Sequence, residues 1–236
     1  MPGKVKDKIS SEYFSNLNIG YDEWFKKPFS NYVRSRQFIN FHEFIQGGKS
    51  FLEVGCGTGK FISQVDSKVK IGIDSSKEML TICKQKYPET VFILASSNNL
   101  PFADSSFDSI VMLNVFQYLE QPEKTLRELY RIAKPGGKIL FSVFTKHSIS
   151  LNPFRFFVRR KLFGENLPIV TFYNLNEISK MLDGKNFNVK GSGIRPPFES
   201  KLLFHLIGNY LNNFENKHYV HPFFGVEMYF YLNKFD

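Results

Sequence analysis

Phe51-Leu52-Glu53-Val54-Gly55-Cys56-Gly57-Thr58-Gly59-Lys60 decides how this chain is read. A short apolar run, Ser50 to Val54, meets three closely spaced glycines, and a helix is expected from Gly59 to Asp66. Glycine permits a tight turn and lets a ligand approach the backbone. The helix beyond would offer free N–H groups at its positive end. Spacing separates three nucleotide-binding readings. A phosphate-cradling loop needs glycine, four residues, then Gly-Lys and a hydroxyl residue. Counted back from Gly59-Lys60, the first glycine falls at Val54, and Phe61 replaces the hydroxyl. A dinucleotide fingerprint needs glycine at positions one, three and six. Its sixth position is Lys60 counted from Gly55, or Ile62 counted from Gly57. Both readings fail, which leaves G-x-G-x-G behind an acidic residue, Glu53.

Outward from this turn the chain alternates strands and helices. Strands are expected at Val69–Ile73, Val91–Ala95, Phe107–Leu113 and Lys138–Phe144. The fourth is almost continuously apolar, as befits a strand covered on both faces. Between them, Ser75 and Glu78 form a capping-box pair for a helix reaching about Lys86. Pro122 opens a helix to Ala133, and Pro135-Gly136-Gly137 is a turn. Upstream, Phe38, Phe41, Phe44 and Ile45 recur at helical spacing, so Asn31–Gln46 is an amphipathic helix ended by Gly47-Gly48. Downstream the pattern is less regular. Helices are expected at Pro153–Phe163, Leu175–Leu182 and Lys201–Leu211, and strands near Phe187–Val189 and Val226–Leu232. The alternation implies right-handed βαβ units and a parallel sheet, with ligands beyond the carboxyl ends of its strands.

LEVGCGTG resembles the first motif of the class I S-adenosylmethionine-dependent methyltransferases. Other segments match in order. Ile71-Gly72-Ile73-Asp74-Ser75-Ser76 is similar to the second strand and its ribose-binding acid. The stretch from Asn99-Leu100-Pro101-Phe102 to Ser106-Phe107-Asp108 resembles the type 11 group of that family. Leu126–Gly137 resembles the helix and turn before the fifth strand, and Tyr21–Phe25 a segment that some members carry before the core. The resemblance covers about residues 20–145 and implies a doubly wound, mostly parallel seven-stranded α/β sheet with N-terminal helices and an inserted helical lobe. It implies one domain over 1–236: a helical cover at 1–49, a cofactor-binding core at 50–147, and a substrate-side lobe with the closing strands at 148–236.

The implied cofactor is S-adenosyl-L-methionine, with S-adenosyl-L-homocysteine as product, and the implied reaction is in-line methyl transfer. Residue by residue, the resemblance places Glu53, Gly55, Cys56, Gly57, Asp74, Ser75, Met79, Ser97, Asn98 and Asn114 at the cofactor. Asp74 would take the ribose hydroxyls, or else cap the helix behind it. Met79 would pack on the adenine, or else fill the helix core. Cys56 is read as a small packed residue, since no activating base is adjacent. The chain departs from the family at Ser96, where many members carry an acid, and at Gln117, where relatives often carry histidine. His147, just beyond the fifth strand, is then the first candidate for a general base, although a lone histidine is more often a surface residue. Tyr13, Tyr21 and Trp24 would form a lid, or else pack the N-terminal helices on the sheet; Gln117 would face the substrate.

Composition bounds the rest. The chain has 236 residues, 42% of them hydrophobic and 22% charged, the balance of one folded core. No apolar run approaches the roughly 18–20 residues of a membrane span. The polar, lysine-rich start reads as no signal peptide. Two cysteines cannot build a disulfide framework or a four-ligand zinc site, and no metal is expected. The expectation is a cytoplasmic protein. The net charge of +9 and the 27 phenylalanines fit either an anionic partner or an AT-rich genome. The segment 153–163 is basic and aromatic; it is a peripheral membrane contact or an amphipathic cover helix. Nucleic acid is disfavoured, because Leu113-Asn114-Val115-Phe116 is no base-modification motif and no RNA-binding module is recognised. The favoured acceptor is a small or lipid-like molecule. A non-catalytic member of the fold, an RNA methyltransferase and a nicotinamide-dependent oxidoreductase remain as alternatives.

Overall fold

The computed structural model describes residues 9–16, Asp22, 28–45, 48–146, 169–192 and 227–234. Tyr21, Trp24, His147 and the expected helices at 153–163 and 201–211 lie outside them. Helix α1 covers 9–16, and α2 runs Pro28–Phe44. There follow β1 (Ser50–Val54), β2 (Val69–Asp74), α3 (Lys77–Lys86), β3 (Val91–Leu94), β4 (Phe107–Met112), α4 (Pro122–Ile132), β5 (Ala133–Phe144), α5 (Leu175–Leu182), β6 (Phe187–Ser192) and β7 (Glu227–Asn233). The seven strands form one sheet in the order β3-β2-β1-β4-β5-β7-β6. The first five run parallel to one another, and β7 runs antiparallel to both β5 and β6. This is the doubly wound, mostly parallel sheet that the resemblance implied. Chain order reverses between β1 and β4, so the crevice at their carboxyl ends is where such a sheet takes ligands.

Two apolar layers cover the sheet. On one face, Leu126, Leu129 and Ile132 of α4 and Ile178 and Leu182 of α5 pack on Leu52, Ile110, Phe141 and Phe230. On the other, Phe41 and Phe44 of α2 and Leu80 and Cys83 of α3 pack on Phe51, Val111, Leu140 and Tyr229. Helix α2 also buries Arg36, Gln37 and Asn40, which the apolar spacing does not mark. The complements of Gln37 and Asn40 come from β7. Gln37 Nε2 donates to Glu227 at 2.8 Å, and the Tyr231 hydroxyl donates to Asn40 at 3.0 Å. The Tyr229 hydroxyl also donates to Glu227. Burial pushes the Glu227 carboxyl up to about 7, against the lowering effect of those two donors.

Three local expectations are corrected. Gly59–Asp66 is not an α-helix but a turn followed by a short 3-10 stretch, Ile62–Gln64. Glu53 takes the Ile62 N–H at 2.9 Å, and the chain then leaves in extended form at Val65. The cap of α3 is Ser76 rather than Ser75, because Asp74 Oδ1 first claims the Ser76 N–H at 2.9 Å and delays the helix by one residue. Pro135-Gly136-Gly137 is not a free turn. It lies inside β5, in an irregularity where Phe107 pairs with Ala133 but Ser109 with Lys138, and Gly136 N donates to Lys234 O at 2.7 Å.

Candidate functional site

The glycine turn is built by steric exclusion and two backbone bonds. Gly55 and Cys56 both donate their N–H groups to Ile73 O, at 2.8 and 2.9 Å, which ties the end of β1 to the end of β2. Gly55 has φ +73°, and a Cβ there would stand 2.2 Å from Val115 Cγ2. Only glycine fits. Gly57, at φ +51°, points its N–H at Asp74 Oδ2, 2.8 Å away. Asp74 thus holds the Gly57 and Ser76 N–H groups, with the Ser75 N–H beside them, and its two oxygens retain lone pairs for further donors. Burial raises its pKa above the ordinary carboxylate value, against the Ser76, Gly57 and Ser75 N–H groups. Glu53 is buried behind the turn and its pKa is pushed well up by burial, with the Ile62 N–H opposing.

A cleft with about 830 Å³ of empty space, open solvent included, lies over this turn. Gly55, Gly57, Asp74, Ser75, Met79, Ser97 and Asn114 line it, so seven of the residues singled out from the sequence meet in one place. Asn114 holds φ +60°, a conformation that a non-glycine residue adopts at some cost, and its N–H donates to Ser142 Oγ at 3.1 Å. Glu53 and Cys56 instead line a smaller adjoining cavity with Arg34, Gln37 and Lys60; Gly55, Gly57 and Asn114 border both. Cys56 and Cys83 are buried. A hydrogen bond to Cys83 and then burial raise the Cys56 thiol pKa, the opposite of an activated nucleophile.

The remaining expectations separate. Asn98 does not line the cleft; it accepts from the Ser96 hydroxyl at 3.0 Å. Gln117 is fully buried, outside the cleft lining, and neither of its amide atoms has a partner. Tyr13 stacks edge-on against Phe14, and it is Phe14 that reaches the cleft. Ser10 and Ser11 reach it as well. Helix α1 is fastened there by Ser11 Oγ donating to Ser75 O (3.1 Å), by Ser15 Oγ against Ser76 Oγ (2.9 Å), and by the Phe14–Tyr118 ring contact (5.1 Å). Asp22 adds a second clasp: Thr58 and Lys86 donate to it at 3.0 and 2.8 Å. Burial works against its ionisation, but those bonds and the charges of Lys60 and Lys86 lower its pKa below the usual range. Sequence reasoning missed Ser10, Ser11 and Phe14, since a polar–aromatic helix carries no local mark of what it covers. Among the described residues no cluster of metal-ligating side chains occurs and no helix is long and apolar enough to cross a membrane.

Comparison with known proteins agrees with this geometry. Residues 52–141 match the family described as Methyltransferase domain. A demethylmenaquinone methyltransferase of Symbiobacterium thermophilum is 31% identical over 71% of this chain and 70% of its own. An uncharacterized protein of Methanocaldococcus jannaschii is 30% identical over 77% and 82%. Among solved structures, an S-adenosylmethionine-dependent methyltransferase of Thermotoga maritima superposes with a TM-score of 0.73 at 21% identity, over 95% of this chain and 99% of that one.

Proposed function

This chain belongs to the class I S-adenosylmethionine-dependent methyltransferases, and from that membership we propose that it methylates a small or lipid-like acceptor in the cleft over the glycine turn. The observation that carries the placement is Asp74. It sits at the end of β2, fixed by the Gly57 and Ser76 N–H groups, with carboxylate capacity left for the two ribose hydroxyls. The donor set fits the cofactor in other ways. Met79 supplies an apolar surface on the same wall, and the bare backbone of the glycine turn admits the sulfonium and its amino-acid arm. Bound there, S-adenosylmethionine supplies the electrophilic methyl group. The protein's own share is position and exclusion of water. Asp74 orients the nucleoside, Asn114 borders both cavities where a methyl acceptor would meet it, and α1 closes the cleft from above through Phe14 and Ser11. A base is required only where the acceptor must lose a proton; His147 keeps that candidacy from its place after the fifth strand. The small or lipid-like acceptor is supported by the apolar share of the cleft wall, including Phe14, Leu113, Val115 and Leu119.

Isothermal titration with S-adenosylmethionine, S-adenosylhomocysteine and NAD tests the cofactor placement. Both adenosyl ligands bind wild type, Asp74→Ala binds them about 10²- to 10⁴-fold more weakly, and NAD binds neither protein. Equal binding of S-adenosylhomocysteine by the mutant would refute the placement. Turnover with a labelled methyl donor over quinones, phosphoamines and amines then finds the acceptor.

A further inference from the structure

We infer that the Ser10 hydroxyl, on the N-terminal helix, is a cofactor-recognising group that hydrogen-bonds the adenosine part of the ligand. This rests on the cofactor placement above. Ser10 is 6% exposed and lines the cleft, and its Oγ has no hydrogen-bond partner. A buried hydroxyl without a partner costs free energy, so such atoms are rare unless something else satisfies them. Other hydroxyls on the same wall are engaged: Ser96 with Asn98, Ser97 with Thr125 at 3.2 Å, and Ser11 with Ser75 O. Ser10 is therefore a buried hydroxyl left without a partner beside three serines of this cleft that have one. Its neighbour fixes which part of the ligand it meets. Ser11 is bonded to Ser75, the residue after Asp74, so α1 lies along the sugar side of the site. The cleft thus uses a residue from outside the βα core, and ligand binding and the docking of α1 favour one another by linkage.

The test is Ser10→Ala in the full chain, titrated with S-adenosylhomocysteine and with 5′-deoxy-5′-methylthioadenosine, which lacks the amino-acid arm. Thermal melts of the ligand-free protein accompany both. A purely structural serine and a ligand-binding serine give opposite signs. Removing an unpaired buried hydroxyl leaves the ligand-free melting temperature unchanged or raised, while both ligands bind about 3- to 10-fold more weakly, the size of one neutral hydrogen bond. Wild-type affinity for both ligands in the mutant overturns the inference. So does a loss confined to S-adenosylhomocysteine, which would move the contact to the amino-acid arm, and so does a clearly lowered ligand-free melting temperature. If wild type binds neither ligand, the cofactor placement itself falls, and that outcome is separate from the others.

Discussion

Two sets of carboxylates, one at each end of the sheet, are held in opposite ways. At the amino ends, Asp108, Glu128 and Asp104 each have a cation. Asp108 accepts from Lys134 at 3.0 Å and from Ser50 N and Oγ at 2.8 and 2.7 Å, which ties together the starts of β1, β4 and β5. Burial opposes its ionisation, but these bonds pull its pKa down to about 2. Glu128 is held below its ordinary value first by Arg131, which also pairs with Asp104 at 2.8 Å. At the carboxyl ends, Asp74 and Glu53 receive backbone N–H groups, and burial raises both. The difference teaches which end is finished. The acids with cations hold the fold together; Asp74, kept in a cleft with lone pairs to spare, is the acid proposed above for the ribose. The Ser106-Phe107-Asp108 stretch that carries part of the family resemblance staples the amino ends of the strands together.

The comparison breaks most visibly at Asp74. Two hydroxyl bonds to a charged acceptor are worth about 1.5–3 kcal/mol each. Asp74→Ala is therefore expected to weaken S-adenosylhomocysteine by about 10²- to 10⁴-fold in titration. Gly55→Ala strikes the same end through the backbone. A Cβ at φ +73° and 2.2 Å from Val115 is expected to cost about 2–4 kcal/mol of stability, measured by denaturant unfolding.

Glu227 sharpens the comparison with a pH arm. It begins β7, paired with Phe144 at the end of β5, and its pKa is raised to about 7 in the folded chain. A raised carboxyl pKa means that stability is fully present below the unfolded value near 4.5 and is lost as pH rises through 7. Wild type is expected to lose about 2 kcal/mol between pH 5 and pH 8, and Glu227→Gln to flatten that slope in unfolding curves. Asp108 has the opposite sign. Its lowered pKa gives stability that is present above about 4 and lost as pH falls toward 2. Asp108→Asn is expected to cost about 1 kcal/mol at pH 7, given its partial exposure, and to leave ligand affinity unchanged.

How much of this was legible follows the range of the interactions. The β1 turn, Asp74 and the strands around it were readable because their signals are local: apolar runs, glycines and an acid at a strand end. The polar layer of α2 was not, because Gln37 and Asn40 are explained only by Glu227 and Tyr231, some 190 residues later. Tyr13 was read as part of a lid or as packing on the sheet, yet in α1 it is Ser10, Ser11 and Phe14 that face the cleft, since nothing in this short, mostly polar and aromatic helix says which side meets the sheet. The one-residue shift of the α3 cap is local instead: Asp74 takes the Ser76 N–H and delays the helix by one residue.

Amide chemical-shift mapping with S-adenosylhomocysteine tests the contrast between the two ends most directly. The account predicts shifts at Gly55, Gly57, Asp74, Met79 and Ser10 and none at Ser50, Asp108 or Arg131. Shifts centred on the amino ends, or saturating ligand that moves none of the cleft residues, would contradict it.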